Sequence, residues 1–290
     1  MRKITINLAA VAAFCIVVAS PALVSSSCAT PKTEQEDTTI IREDSGITAL
    51  KYSSPEVPAS IEFCGKTIDL SRFDRHERMD RELLAFTYMH STSLQMLKKA
   101  NRYFPIVEPI LKENGIPDDF KYLMVIESNM NPTARSSAGA AGLWQFMQGT
   151  GRDYGLEVNN NVDERYHIEK ATRAACRYLK DAYAKYKDWV AVAASYNAGQ
   201  ARIASQLAKQ DVDDSLDLQL VEETARYVYR ILAAKQLFNA PTTFGFRLRA
   251  SDLYPPIPYT EITVTKGIAD LARFARSKGC LLYTSPSPRD

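Results

Sequence analysis

The sequence predicts a mainly α fold, on three observations. Apolar residues recur at helical spacing through most of the stretch from about residue 78 to residue 238. Strand-like alternation is weak until Glu261-Ile262-Thr263-Val264-Thr265. A single Gly-rich segment, residues 132–161, interrupts the helices, and its length marks it as a functional loop with a short helical piece near Trp144.

The helices follow in order. The first begins near Arg78 and runs past Lys98, with Leu83, Leu84, Met89, Leu94 and Leu97 as its apolar positions. Pro105 and Pro109 punctuate the next, which ends at Asn114-Gly115. Pro117 opens a helix over 118–129 whose apolar positions are Phe120, Leu123, Met124 and Ile126. Further helical patterns cover 168–186, 189–195 and 220–238. After Phe246 the stiff run Pro255-Pro256-Ile257-Pro258 acts as a spacer. Residues 262–279 then read as a strand followed by a helix.

The flanks are of another kind. Arg2 and Lys3 precede an apolar run over 8–19 and a small-residue exit, Ser20 to Ser27, so residues 1–28 read as an export signal. Cys28 stands at its end, in a loose lipobox with Ser25 where a Leu is usual. Plain cleavage and lipidation at Cys28 are both open. Residues 29–77 are expected to be a polar tether, and 78–245 the folded domain. Residues 246–279 are expected to begin a truncated C-terminal extension. Residues 280–290 fit neither periodicity, resemble a translated sequencing adapter, and are set aside. Cys64 and Cys176 make an unproven pair.

Composition excludes several classes. A net charge of +2 on 290 residues gives no field for nucleic acid. His76, His90 and His167 are scattered and no HExxH or CxxC spacing occurs, so no metal site is expected.

The chemistry gathers at Glu127. It shares a helical face with Phe120, Leu123 and Met124, close to the helix C-terminus. Apolar surroundings and the negative helix end both disfavour a carboxylate, so its pKa should rise and suit it to general acid catalysis. A surface Glu at the margin of the face is the plainer alternative. The Gly139 to Gln145 segment can approach a ligand closely, and Ser136 and Gln145 can hydrogen-bond a sugar hydroxyl or an N-acetyl group. Trp144 fits either a ligand platform or the core. Tyr196 and Asn197 offer polar tips before Gly199, in a run that also fits a helix end.

In order, Glu127-Ser128, Gly142-Leu143-Trp144-Gln145-Phe146-Met147, Tyr196-Asn197-Ala198-Gly199 and Glu223-Thr224 with Tyr227-Val228 resemble the successive motifs of family-1 lytic murein transglycosylases. The segments Ile116 to Leu123 and Thr150 to Leu156 are similar to the membrane-bound transglycosylase D subgroup. Gln148 stands where that family usually has Pro.

The resemblance implies a lysozyme-like domain, of the goose-type lysozyme or soluble lytic transglycosylase kind. It implies Glu127 as catalytic acid and base, with Ser136, Gln145, Tyr196, Asn197 and Glu223 binding substrate. The implied reaction cuts the β-1,4 bond between N-acetylmuramic acid and N-acetylglucosamine and leaves 1,6-anhydromuramoyl ends, with no cofactor. The expected partners are peptidoglycan glycan strands, met in the periplasm by a monomer that is free or anchored to the outer membrane through Cys28. A goose-type hydrolase, with Asp153 or Asp163 as a second carboxylate, and a silent peptidoglycan-binding protein are the alternatives.

Overall fold

The computed structural model describes residues 2–7, 54–212 and 214–279. The leader's apolar run, Cys28, most of the tether and residues 280–290 lie outside the described residues.

Among the described residues the chain forms nine α-helices and four short strands, which bears out the mainly α expectation. Strands β2 (Ser60–Phe63) and β3 (Lys66–Asp69) make an antiparallel hairpin with Ile61 opposite Ile68. Its loop is Cys64-Gly65, both at positive φ (52° and 81°), as a two-residue hairpin turn of the primed type requires. Phe63, Ile68 and Leu70 are fully buried. The stretch 60–77, expected as the end of a tether, is therefore partly core: alternation delivers one face of each strand inward. Asp119 fastens the turn, accepting from the Cys64 N–H at 2.7 Å while pairing with Lys235 at 2.7 Å.

The long first helix divides in two, α1 (Phe73–Tyr88) and α2 (His90–Glu113). The break has a local cause. Thr87 Oγ1 donates to the Leu83 carbonyl and Ser93 Oγ to the Phe86 carbonyl, so side chains compete for acceptors that would continue the ladder. Pro105 and Pro109 sit inside α2 without ending it, and the helix stops before Gly115 at φ 65°.

Helix α3 (Phe120–Ser128) buries Phe120, Leu123, Met124 and Val125. The short helix α4 (Gln148–Asp153) lies just after the position expected near Trp144, which itself sits in a turn. Helix α5 (Ile168–Tyr186) matches its expected span, and α6 (Trp189–Ala198) and α8 (Glu222–Asn239) match theirs within three residues. Helix α7 (Gln200–Lys209) went unforeseen. It is short, Ile203 and Leu207 are its large apolar residues, and only Ile203 is buried. Helix α6 is apolar all round and Val190 to Ala194 are all buried, so it runs through the middle of the packing. Helices α1 and α8 pack together, and Arg226 of α8 pairs with buried Glu82 of α1 at 2.6 Å.

Strand β4 (Tyr259–Val264) and helix α9 (Leu271–Ser277) occupy the strand and helix expected at the C-terminal end. Strand β4 pairs antiparallel with β1 (Arg2–Asn7), Arg2 opposite Val264. The basic start of the expected leader thus lies on a strand, in keeping with the β-branched run Ile4-Thr5-Ile6. Among the described residues no helix is long and apolar enough to cross a membrane. Cys64 and Cys176 are both free thiols. Cys176 is buried on α5, its thiol 3.9 Å from the Ile110 carbonyl.

Candidate active site

Glu127 occupies the last turn of α3. The helix ends on Asn129 and Met130, two consecutive non-glycine residues in the left-handed region (φ 49° and 59°). Such backbone is held only where the surroundings over-determine it, and here buried Met130 pins it to the core. The abrupt end leaves Glu127 half-buried, at the margin between core and solvent.

Burial pushes its carboxyl from an ordinary 4.5 up to about 7, with the nearby Glu223 charge adding to the effect. Two groups oppose the rise. The buried Tyr227 hydroxyl of α8 donates to Glu127 Oε1, and Arg230 acts through its charge. The plainer reading, a surface glutamate in a salt bridge, does not describe this geometry: the direct partner is a neutral phenol. Tyr227 and Tyr196 are both raised well above the usual phenol range, by burial and by the nearby Glu127 charge, so neither competes for the proton.

A braced loop stands over α5 and α6. Trp144 is fully buried and its indole N–H donates to Thr172 Oγ1 at 2.9 Å, which places it in the core. The Tyr196 hydroxyl donates to the Trp144 carbonyl at 2.7 Å, and the Tyr196 ring packs against Phe146 and Tyr178. The base of the loop is Arg165, 4% exposed. Its Nη1 donates to the carbonyls of Gly139 (2.8 Å) and Phe146 (2.9 Å), and its Nε and Nη2 grip both oxygens of Asp163 (2.9 and 2.7 Å). Gly142, at φ 78°, passes so close that a Cβ there would lie 1.9 Å from the Arg165 carbonyl oxygen. Glycine is required at that point by both conformation and space.

The expected site residues separate into two groups. Tyr196 and Glu223 share electrostatic contact with Glu127. Asn197 Oδ1 accepts from Thr224 Oγ1 at 2.8 Å, tying the end of α6 to the start of α8 beside exposed Glu223. Ser136 and Gln145 instead bond within the loop. Ser136 Oγ accepts from the Ala140 N–H at 3.0 Å, and Gln145 Nε2 donates to the carbonyls of Ala134 (3.1 Å) and Gly142 (2.8 Å). Any bond from the Gln145 amide to a ligand must therefore be accepted at Oε1. Sequence reasoning assigned no role to Tyr227, Arg230 or Arg165. Tyr227 stood in a quoted motif, but nothing in its spacing said that it faces Glu127.

Of the two acids considered for a hydrolase, Asp163 is engaged within the loop. Asp163 caps the short 3-10 turn Glu164–Tyr166, and its Arg165 hydrogen bonds outweigh burial and hold its pKa below the ordinary value. Asp153 is exposed at the end of α4.

With this geometry in view, residues 105–217 match the family model described as "Transglycosylase SLT domain". These residues form an SLT transglycosylase domain. The match contains Glu127, Ser136, Gln145, Tyr196 and Asn197, while Glu223 and Tyr227 lie just past its end. The chain is 30% identical over 181 residues to membrane-bound lytic murein transglycosylase D of Escherichia coli (strain K12), covering 61% of this chain and 39% of that protein. It is 30% identical over 138 residues to peptidoglycan transglycosylase gp16 of Escherichia phage T7, covering 46% of this chain and 10% of that one. Among solved structures, soluble lytic transglycosylase SLT70 of Escherichia coli aligns at 21% identity over 53% of this chain and 27% of that chain, with a TM-score of 0.41. The chain thus spans about two fifths of the first of these relatives.

Proposed function

We propose that this chain is a peptidoglycan lytic transglycosylase with a lysozyme-like catalytic domain and Glu127 as its one acid and base. The observation that carries the reading is a carboxyl group raised to about 7 in an SLT domain, bonded to a buried phenol. An acid that keeps its proton near neutral pH can protonate a glycosidic oxygen.

The steps balance on one proton. Glu127 gives its proton to the oxygen between N-acetylmuramic acid and N-acetylglucosamine, and the C1–O bond breaks. The muramoyl N-acetyl carbonyl stabilises the oxocarbenium-like centre. The Glu127 carboxylate, supported by the Tyr227 hydrogen bond and the Arg230 charge, takes the proton of the C6 hydroxyl as that oxygen closes on C1. A 1,6-anhydro ring forms and no water is consumed. The groups that oppose the pKa rise in the resting site are those that stabilise the carboxylate in mid-reaction. Ser136, Gln145, Tyr196, Asn197 and Glu223 are assigned to hold the sugars. The work is placed in the cell envelope, with Cys28 either removed with the leader or lipidated.

Digestion of sacculi in ¹⁸O-labelled water tests the reading. Anhydro-ended products without label at C1 are expected. Stoichiometric label at reducing muramic ends would replace the transglycosylase by a hydrolase.

A further inference from the structure

Among the described residues, Glu82 of α1 is the most deeply buried charged residue, 1% exposed. It shares the inner face of α1 with Met79, Leu83 and Phe86, all buried. A carboxylate in such a place is kept only if it is paired. Its partners are two arginines one turn apart on α8. Arg226 Nε donates to Glu82 Oε1 at 2.6 Å, and Arg230 Nε lies 3.6 Å from Oε2.

Arg230 also belongs to a second alignment. Residues 223, 227 and 230 stand at i, i+4 and i+7 and share one face of α8. On that face Tyr227 bonds Glu127 directly, and the charges of Glu223 and Arg230 both act on it. Helix α8 packs on α1 and on α3, and Arg230 stands where its two working faces meet. The ion pair that Arg230 makes is with Glu82, while Glu127 keeps a neutral phenol as its direct partner. Tyr196 of α6, which also feels the Glu127 charge, is a phenol that stays neutral in this range. Glu222, the other acid beside the arginines, is exposed and paired with Arg81.

Two guanidinium charges thus meet one buried carboxylate, and the cluster keeps one net positive charge next to the acid. A charge at that remove favours the carboxylate formed in mid-reaction. A guanidinium closed onto Glu127 would instead strip the proton that the first step needs.

We propose that Glu82 is a positioning residue for the acid: it anchors Arg230 on the α1 side of α8, so that the guanidinium acts on Glu127 without pairing with it. The inference rests on the function proposed above.

The test follows release of anhydro-ended fragments from purified glycan strands, as kcat/KM against pH. The proteins are the wild type, Glu82→Gln, Glu82→Asp, Arg230→Gln and the double variant Glu82→Gln/Arg230→Gln. Loss of the Glu127 proton sets the alkaline limb. Glu82→Gln removes both the anchor and the opposing charge, so the limb should fall by about 0.5–1 pH unit. Above the limb that is a loss of about three- to tenfold. Arg230→Gln should raise the limb. The double variant should follow Arg230→Gln, because Glu82 acts through that arginine. Glu82→Asp keeps the buried charge on a shorter arm and should lower the limb by less; it decides the matter if the Gln protein does not fold. An unmoved or raised limb in the Glu82 variants would overturn the inference, with Glu82 left as a structural partner whose loss lowers activity equally at every pH. So would an Arg230→Gln limb that does not rise, or a double variant that keeps the Glu82→Gln shift. A wild type that releases no anhydro-ended fragments would overturn the proposed function, and this inference with it.

Discussion

Glu127→Gln should abolish glycan cleavage and at the same time stabilise the fold above neutral pH. In the folded chain the carboxyl is raised from 4.5 to about 7 by burial. Below about pH 4.5 folded and unfolded chains are both protonated there, and Glu127 has no effect on the pH dependence of stability. Between about 4.5 and 7 the unfolded chain releases the proton first, so stability falls as pH rises, by up to about 1.4 kcal/mol per pH unit. Over the whole interval this would withdraw about 3 kcal/mol. Residual solvent contact at Glu127 reduces the loss to ~1–3 kcal/mol. Glutamine carries no charge at any of these values, and its Oε1 can still accept from Tyr227. The two proteins should therefore have similar stability near pH 4.5 and separate above it. By pH 8 the Gln variant should melt roughly 2–12 °C higher, given ~2–4 °C per kcal/mol in a chain of this size. Thermal or urea unfolding of both proteins at pH 4.5, 6 and 8 measures the difference directly. Other groups titrate in the same range, but they are common to both and cancel. Curves that stay parallel from pH 4.5 to 8, or a variant less stable at pH 8, would refute the placing of Glu127 in a desolvated site.

Tyr227→Phe removes the donor that favours the ionised form of Glu127. The alkaline limb of kcat/KM, set by loss of the catalytic proton, should move up by about one pH unit, and an unchanged or lowered limb would dissociate Tyr227 from the acid. Gly142→Ala should destabilise the chain far more than Gly139→Ala, as read from unfolding midpoints. Both glycines have positive φ (78° and 89°), but only at 142 does the new Cβ strike backbone, 1.9 Å from the Arg165 carbonyl oxygen. The shared conformational strain is ~1–3 kcal/mol, and overpacking adds ~1–3 kcal/mol at 142 alone.

Helices such as α5 were legible because their periodicity is a local property. The hairpin was legible only in part. Ile61, Phe63 and Ile68 do alternate, and Cys64-Gly65 has glycine at the turn. The strands are four residues long, however, and adjoin a polar stretch whose composition dominated the reading. The break at Met89 was illegible for a different reason. It depends on whether Thr87 and Ser93 bond to backbone or to water, which neighbouring elements decide.

The site shows the same division. The apolar setting of Glu127 could be read from the positions of Phe120, Leu123 and Met124, because those lie on its own helix. Its partner could not: any of 15 tyrosines could have supplied the hydroxyl, and only the packing of α8 on α3 selects Tyr227. Arg165 was hidden in the opposite way, since an arginine in a charged stretch normally faces solvent. Here three acceptors that the loop itself creates, the Gly139 and Phe146 carbonyls and the Asp163 carboxylate, satisfy it and permit its burial. The same accounting constrains Ser136 and Gln145. Sequence identifies them as groups able to bind sugar, but a side chain has a fixed number of donors and acceptors. Gln145 has engaged its amide nitrogen in two loop carbonyls, and Ser136 Oγ accepts a loop N–H. What remains for a ligand is the Gln145 oxygen and the Ser136 proton, so Gln145 can receive a bond from a sugar hydroxyl or an acetamido N–H and Ser136 can give one. Their contribution to recognition follows from the loop that Arg165 holds, and it cannot be separated from the folding of that loop.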